Sequence, residues 1–600
     1  MGLLQRAAET YDNMSHLAGV ETEGKGTLAP VGFMTVKAQI EITLNAEGEF
    51  VSACRVDEKI TIPVTEESSG RTRQLSPHAL CDQIGYISGI DREKFDLYVN
   101  QLEDWCSSEY GCETISAILR YVKKESIIQD LSAADVIHFD EEGNVKDEKA
   151  MVCWRVLGNR ESDAVWKDVS LMRSYLQYYQ KKIAGKAKNL CYVTGKYGII
   201  ASQHLKGVVP LSGNAKIISA NDDQNFTYRG RFTAGSEAAT VGYEASQKAH
   251  NALKWIVEND GVIEGGRTFV CWNPKGKEVP RSSYALFSYE SEEKPSPDEY
   301  HAALAKILEG YAAKFDIGDQ VIVASFDAAT TGRLSVTYYN EIGAFDFLKR
   351  LGDWDKSCCW YSPKWGTSSP ALKKIVDAAF GIQRGDDEKA YFETDDKVKA
   401  QQMQRLLFAR IEGAPFPSDI MRAAVQKCSR LQIYNRNNRE NLLFTVCAII
   451  KKFRYDHYKE EWNMALEPER KDRSYQYGRL LAVMEKIERD TYENDEKREP
   501  NAIRLQSVFV KRPAYASRLI MEQLKSGYYP RLSVGGRNYY ERLIGEIMTQ
   551  ISDCGEEDYN KPLSETYLLG YYLQKNSLYS KKTENQTNDA NHEMKESEEN

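Results

Sequence analysis

Two adjoining stretches of the chain hold the residue types from which a contact with phosphates and bases is made. The first, Leu190-Cys-Tyr-Val-Thr-Gly-Lys-Tyr-Gly-Ile-Ile-Ala-Ser-Gln-His-Leu-Lys-Gly-Val, reads as a strand, a turn and a second extended piece. The second, Gly213-Asn-Ala-Lys-Ile-Ile-Ser-Ala-Asn-Asp-Asp-Gln-Asn-Phe-Thr-Tyr-Arg-Gly-Arg-Phe, is rich in glycine, amides, cations and aromatics. Glycine lets a backbone approach a ligand closely, Lys and Arg neutralise phosphates, and Asn and Gln can read base edges. Phe226 and Tyr228 have rings that can stack on an exposed base. The same residue types also make ordinary turns, so Asn214 and Asn221 are turn residues in the simpler reading.

The charge balance of the whole chain points away from such a partner. Its 600 residues carry a formal charge of −9, a balance that disfavours a polyanion. The distribution reverses that inference. Residues 170–235 hold ten basic residues (Arg173, Lys181, Lys182, Lys186, Lys188, Lys196, Lys206, Lys216, Arg229, Arg231) against Asp222 and Asp223, a local +8. Residues 401–480 hold fifteen basic against nine acidic, a local +6, and the last twenty residues concentrate acid.

Enzyme readings find little support. There is no G-x-x-x-x-G-K-[ST], H-E-x-x-H or G-x-S-x-G, the eight histidines are scattered, and none of the twelve cysteines forms a C-x-x-C. Reduced thiols, no metal and no cofactor are expected. Carboxylate doublets stand at Asp222-Asp223, Asp386-Asp387 and Asp395-Asp396. The first is the one place for a metal-dependent nucleic-acid hydrolase or polymerase-like enzyme, although it sits in a polar loop rather than on a hairpin. No run approaches the length of a membrane span and no signal-like apolar stretch opens the chain, so a cytoplasmic location is expected.

Residues 38–44 and 49–55 alternate around the turn residues Asn45 to Gly48, which predicts a β-hairpin. Strands are predicted at 151–156, 190–193, 267–272, 320–326 and 333–339. A helix over 164–182 places Val165, Val169, Met172, Leu176 and Tyr179 on one buried face. After the Ser/Pro/Gly-containing stretch 362–370 the pattern becomes helical: 398–411, 417–428, 440–455, 474–492, 514–525, 539–552 and 564–579. In 474–492 the stripe Tyr477, Leu480, Leu481, Met484, Ile487 faces inward while Glu485, Lys486, Glu488 and Arg489 face out. The predicted class is therefore an α+β N-terminal domain (1–350), a connecting segment (351–395), a mostly α-helical bundle (396–580) and a disordered tail (581–600).

Several blocks in this order resemble the large subunit of the type I-C CRISPR surveillance complex, Cascade. They are Arg71-Thr-Arg-Gln-Leu-Ser-Pro-His-Ala-Leu-Cys-Asp-Gln-Ile-Gly-Tyr-Ile-Ser-Gly, the Val-Thr-Gly strand, Ile218-Ser-Ala-Asn, Tyr228, 243–253, Thr268-Phe-Val-Cys-Trp-Asn and 329–339 with its Arg-Leu-Ser-Val. Ser474-Tyr-Gln-Tyr-Gly-Arg-Leu-Leu-Ala-Val-Met-Glu-Lys-Ile and Leu563-Ser-Glu-Thr-Tyr-Leu-Leu-Gly-Tyr-Tyr-Leu-Gln-Lys complete the set. The chain departs where that family has Phe-Asn and Ser-Tyr-Gly: Ala220-Asn221 and Thr227-Tyr228-Arg229-Gly230 stand there.

The resemblance implies a non-catalytic subunit of an RNA-guided complex. Such a subunit recognises a short motif beside the target in double-stranded DNA, assists duplex opening and R-loop formation, and helps recruit a helicase-nuclease. Implied partners are the guide CRISPR RNA complex with its backbone and guide-end-binding subunits, and a small subunit translated from an internal start near Met484, with Met464 as the alternative. The motif-reading set is then Arg71, Arg73, Gln74, Gln203, Lys206, Asn214, Lys216, Asn221, Asn225, Tyr228 and Arg229. Lys451, Lys452, Arg454, Lys459, Arg473 and Arg479 are candidates for the displaced strand, with a plain solvated helix face as the other reading.

Overall fold

The computed structural model describes residues 1–21, 24–71, 75–158, 161–218, 240–281, 294–385, 389–493, 496, 498–555 and 559–579. The chain separates into two compact units. One comprises residues 1–263, 267–279 and 320–341, the other 264–266, 280–319 and 342–600. The first is α+β and the second mostly helical, as the hydrophobic periods predict.

In the first unit the predicted hairpin forms and is longer than the alternation suggested: β1 (Phe33–Leu44) pairs antiparallel with β2 (Phe50–Pro63). Ala38, Ile40, Ile42 and Leu44 share one wholly buried face, the period of two expected of a half-buried strand. β3 (Val152–Val156) adds parallel to β1, from Ile40 opposite Val152 to Leu44 opposite Val156. A short hairpin, β4 (Lys188–Leu190) and β5 (Tyr197–Ile199), precedes a four-stranded sheet. That sheet runs in the order β6 (Val262–Glu264), β7 (Arg267–Trp272), β8 (Gln320–Thr330), β9 (Arg333–Gly343).

The 164–182 helix is corrected in its buried face. A 3-10 turn, Val165–Lys167, leads to Asp168, whose side chain accepts from the Leu171 N–H and caps the helix Val169–Ile183. Val165 and Tyr179 are buried as expected and Met172 and Leu176 pack half-buried on the core, but Val169 is 57% exposed, and Leu171, Tyr175, Tyr178 and Ile183 extend the buried face. Ring stacking decides this: Tyr175 lies on Tyr179 with centroids 5.7 Å apart, and Tyr178 lies on Trp105 at 6.0 Å.

In the second unit, residues 360–393 hold two short hairpins flanking the helix Leu372–Phe380. The long helices Asp396–Glu412, Ser418–Cys428, Arg436–Tyr458, Arg473–Arg489, Pro513–Gln523 and Val534–Asp553 follow, then a helix over 567–579. Arg473–Arg489 corrects a second expectation. Every residue from Arg473 to Glu488 is buried, including Glu485, Lys486 and Glu488, which were expected to face solvent. Each charge has a partner: Glu485 meets Lys575 at 3.0 Å and Arg489 at 2.8 Å, Lys486 pairs with Asp490, and Glu488 accepts from Tyr492 and Asn501. The stripe pattern reads a one-sided helix because it cannot see that paired charges are as burial-tolerant as leucines. Gly478 and Gly570 let this helix and 567–579 cross with backbones in contact.

All twelve cysteines are free thiols. Among the described residues no helix is long and apolar enough to cross a membrane.

Candidate nucleic-acid interface

The first unit gathers part of the motif-reading set around one buried carboxylate. Glu66 opens the short helix Glu66–Ser69, which Thr65 caps in a reciprocal box with Ser68. Its own N–H donates to the Tyr179 hydroxyl at 2.8 Å, and its carboxylate accepts the N–H groups of Ser202 and Gln203, the latter at 2.8 Å. Lys186 closes the set, its Nζ 2.9 Å from Glu66 Oε2. One side chain thus fixes the loop that carries Gln203, His204 and Lys206.

That loop is met from the other side by Lys216. Lys206 and Lys216 form an antiparallel bridge and Lys216 a parallel one with Arg333. The Lys216 N–H donates to the Gly332 carbonyl at 3.2 Å, and the Leu334 N–H donates to the Lys216 carbonyl at 2.9 Å. Lys206 Nζ donates to the Arg71 carbonyl at 2.6 Å and to Asn214 Oδ1 at 3.0 Å. Gly70 lies where any Cβ would stand 2.8 Å from Gln203 Oε1 and 3.1 Å from Lys216 Nζ, so the absent side chain is what brings amide and ammonium together.

The electrostatics set this cluster apart from Lys181, Lys182 and Lys186 of the same basic window. Burial lowers the pKa of both Lys206 and Lys216, and Arg71 and Lys216 lower Lys206 further. Neither lysine pairs with a carboxylate among the described residues. By contrast Lys181 pairs with Glu109, Lys182 with Asp104, and Lys186 with Glu66 and Glu67. Beneath the lysines, His204 Nδ1 lies 2.8 Å from Ser246 Oγ and its ring stacks on His250 with centroids 5.8 Å apart. Burial, His250 and Lys216 push His204 down to about 3; burial and Lys216 push His250 down to about 4 against a hydrogen bond to the Ser246 carbonyl. Both stay neutral, so the local field stays that of the lysines.

Gln203, Lys206, Asn214 and Lys216 are therefore together. Arg71 adjoins them through its backbone only. Its guanidinium turns inward, 2.8 and 2.5 Å from the carboxylate of fully buried Asp82 and 4.4 Å over the Tyr86 ring. Arg73, Gln74, Asn221, Asn225, Tyr228 and Arg229 lie outside the described residues, as does the Asp222-Asp223 doublet. Exposed Arg333, beside Lys216, was not singled out, although it begins the Arg-Leu-Ser-Val block. Glu66 and Gly70 gave no sequence signal, since their roles depend on partners far along the chain.

The displaced-strand set is distributed differently. Arg473 is buried and donates to the Lys561 carbonyl at 2.7 Å, and Arg479 is buried and donates to Gln574 and the Pro468 carbonyl. Lys452 is buried against Asp456 at 2.9 Å, and Arg454 lies within reach of Glu460, Glu565 and Asp472. Lys451 donates to the Lys356 carbonyl at 2.9 Å. Of the six only Lys459 is exposed; it ends the helix Arg436–Tyr458 in the left-handed conformation. Five of the six candidates are thus engaged inside the unit. Among the described residues no group of His, Cys, Asp or Glu is placed to hold a metal ion.

The first unit thus holds a half-buried lysine pair that meets no carboxylate among the described residues, and comparison with known families says what kind of protein carries it. Residues 8–579 match the family described as CRISPR-associated protein. The chain belongs to that family, Cas_Csd1. No curated protein matches it.

Proposed function

We propose that this chain is the non-catalytic large subunit of a type I-C RNA-guided surveillance complex and reads the motif beside the target in double-stranded DNA. The observation that carries the reading is the Lys206 and Lys216 pair: two partly buried ammonium groups beside Gln203, with no facing carboxylate among the described residues. Phosphate oxygens would supply the missing counter-charge, and Gln203 and Asn214 amides would reach the groove beside them. Recruitment of a helicase-nuclease and assistance to R-loop formation belong to the same proposal.

A separately translated helical product belongs to it as well. Its start is better placed at Met464 than at Met484, because Met484 lies inside the buried helix Arg473–Arg489 and a start there would discard the Asp472 cap and Gly478. A second band of the corresponding mass on expression from the native nucleotide sequence is the expected result.

The central test compares assembled complexes carrying Lys206→Gln or Lys216→Gln on duplex targets that differ only beside the guide match. Each change is expected to weaken every target alike and to reduce the salt slope by about one. Gln203→Ala is expected to blur motif preference, at about 1–3 kcal/mol for the preferred motif. Unchanged binding throughout would overturn the reading.

A further inference from the structure

The hairpin β4–β5 and the turn that closes it leave large apolar and aromatic side chains outside. From Ala187 to Tyr197 only Cys191 is buried, while Leu190, Tyr192 and Tyr197 are 47%, 60% and 73% exposed. Leu190 pairs with Tyr197 and Lys188 with Ile199, so these four residues share one face of the ribbon. Ile199 packs on the core, while Leu190 and Tyr197, with Lys188 at the edge, stand open to solvent. Lys188 and Lys196 make no ion pair with a described residue, and the chain has no Asp or Glu between Val169 and Asn221.

The hairpin is also held firmly at its turn. Gly195, at φ +67°, returns its N–H to the Cys191 carbonyl at 2.8 Å, and the Cys191 N–H reaches the Lys196 carbonyl at 2.9 Å. The Tyr192 N–H donates to Thr240 O at 2.8 Å, the Gly242 N–H to Cys191 Sγ at 3.1 Å, and Gln5 Nε2 to Val193 O at 2.9 Å. A ribbon this short is marginal alone, so these anchors account for its order while its aromatic face stays unused. Four residues past β5 the chain enters the loop of Gln203 and Lys206.

We infer that this hairpin is a stacking finger for unpaired nucleic-acid bases, Tyr197 and Tyr192 taking the base faces and Lys188 and Lys196 the flanking phosphates. The inference rests on the proposed DNA-binding role but assigns a separate site and a separate physical contribution. Ring stacking is tolerant of base identity and nearly independent of salt, whereas the lysine pair at Gly70 acts through charge. The absence of acid across the whole finger favours a polyanion over a protein surface as the occupant.

The test uses the full-length chain and labelled DNA of two kinds, a fully paired duplex and the same duplex with a central unpaired stretch containing 2-aminopurine. Tyr197→Ala is expected to weaken binding of the bubbled duplex by about tenfold, to leave the paired duplex and the salt slope unchanged, and to abolish the fluorescence change of 2-aminopurine. Tyr197→Phe should retain all three properties, and Lys188→Gln with Lys196→Gln should instead lower the salt slope by about two. A Tyr197→Ala chain that still binds the bubble and quenches 2-aminopurine, or that loses only association with neighbouring subunits, overturns the finger. Loss of duplex binding in Lys216→Gln together with an unaffected Tyr197→Ala overturns the finger alone; a wild-type chain that binds neither DNA overturns both readings.

Discussion

Gly478 and Gly570 sit at reciprocal points of one helix crossing: a Cβ on Gly478 would overlap the Tyr567 carbonyl, and a Cβ on Gly570 would overlap the Tyr475 carbonyl. Backbone therefore meets backbone, with no flexible side chain in between to give way. The two blocks of the helical half, around Ser474 and around Leu563, each contain one of these glycines.

Gly478→Ala must push the two helices apart. It is expected to lower stability by about 3 kcal/mol, as over-packed cores do, and Gly570→Ala by a similar amount. Thermal unfolding followed by circular dichroism checks this, and the double variant should cost less than the sum, since one separation relieves both clashes.

Arg71→Ala separates structural from DNA-contacting roles. The guanidinium neutralises Asp82, which has no exposed surface, so its removal leaves a buried carboxylate unpaired and is expected to cost about 3 kcal/mol of stability. Asp82→Ala should cause comparable loss, and the double variant should recover part of it. A drop in DNA affinity without loss of stability would assign Arg71 to the interface instead.

Acid should loosen the helical unit through Glu485. Burial alone would raise this carboxyl, but Lys575, Arg489 and the Tyr571 hydroxyl outweigh it and hold it down at about 2. A group whose folded value lies below its unfolded one stabilises at higher pH and loses that contribution as pH falls. About 3 kcal/mol should therefore disappear between pH 4.5 and about 2. Glu485→Gln should be less stable at neutral pH and show a flatter acid profile in urea titrations.

DNA binding should weaken as pH rises toward the ordinary lysine value of about 10.4, earlier than for a solvated lysine, because burial favours loss of the Lys216 proton. Lys216→Arg keeps its charge and should extend binding to higher pH; equal profiles for the two chains would show that Lys216 carries no phosphate contact.

What the sequence discloses here follows the range of the interaction. The hairpin 33–63, the strand 267–272 and the run of C-terminal helices rest on local alternation or on steps of three and four, and all were legible. The buried face of Val169–Ile183 was legible only in part, at Met172, Leu176 and Tyr179, because Tyr175 and Tyr178, which stack inward, look amphipathic in one dimension. The charges of Arg473–Arg489 misled for the same reason: Lys575 lies far from Glu485 in the chain. At the candidate interface, Lys206, Lys216, Gln203 and Asn214 could be picked out by type and the fold brings them together, whereas Glu66, which orders their loop, and Gly70, which makes room for them, carry no signature outside the folded chain.

The strand edge that Lys216 joins also has a consequence for synthesis. Its two backbone hydrogen bonds run to Gly332 and Leu334, on a segment made long after the lysine itself has emerged. A nascent chain that already has Glu66, Lys206 and Lys216 still lacks the strand edge that holds Lys216, so the cluster would be completed late, when β9 closes the sheet, rather than as the basic loop appears.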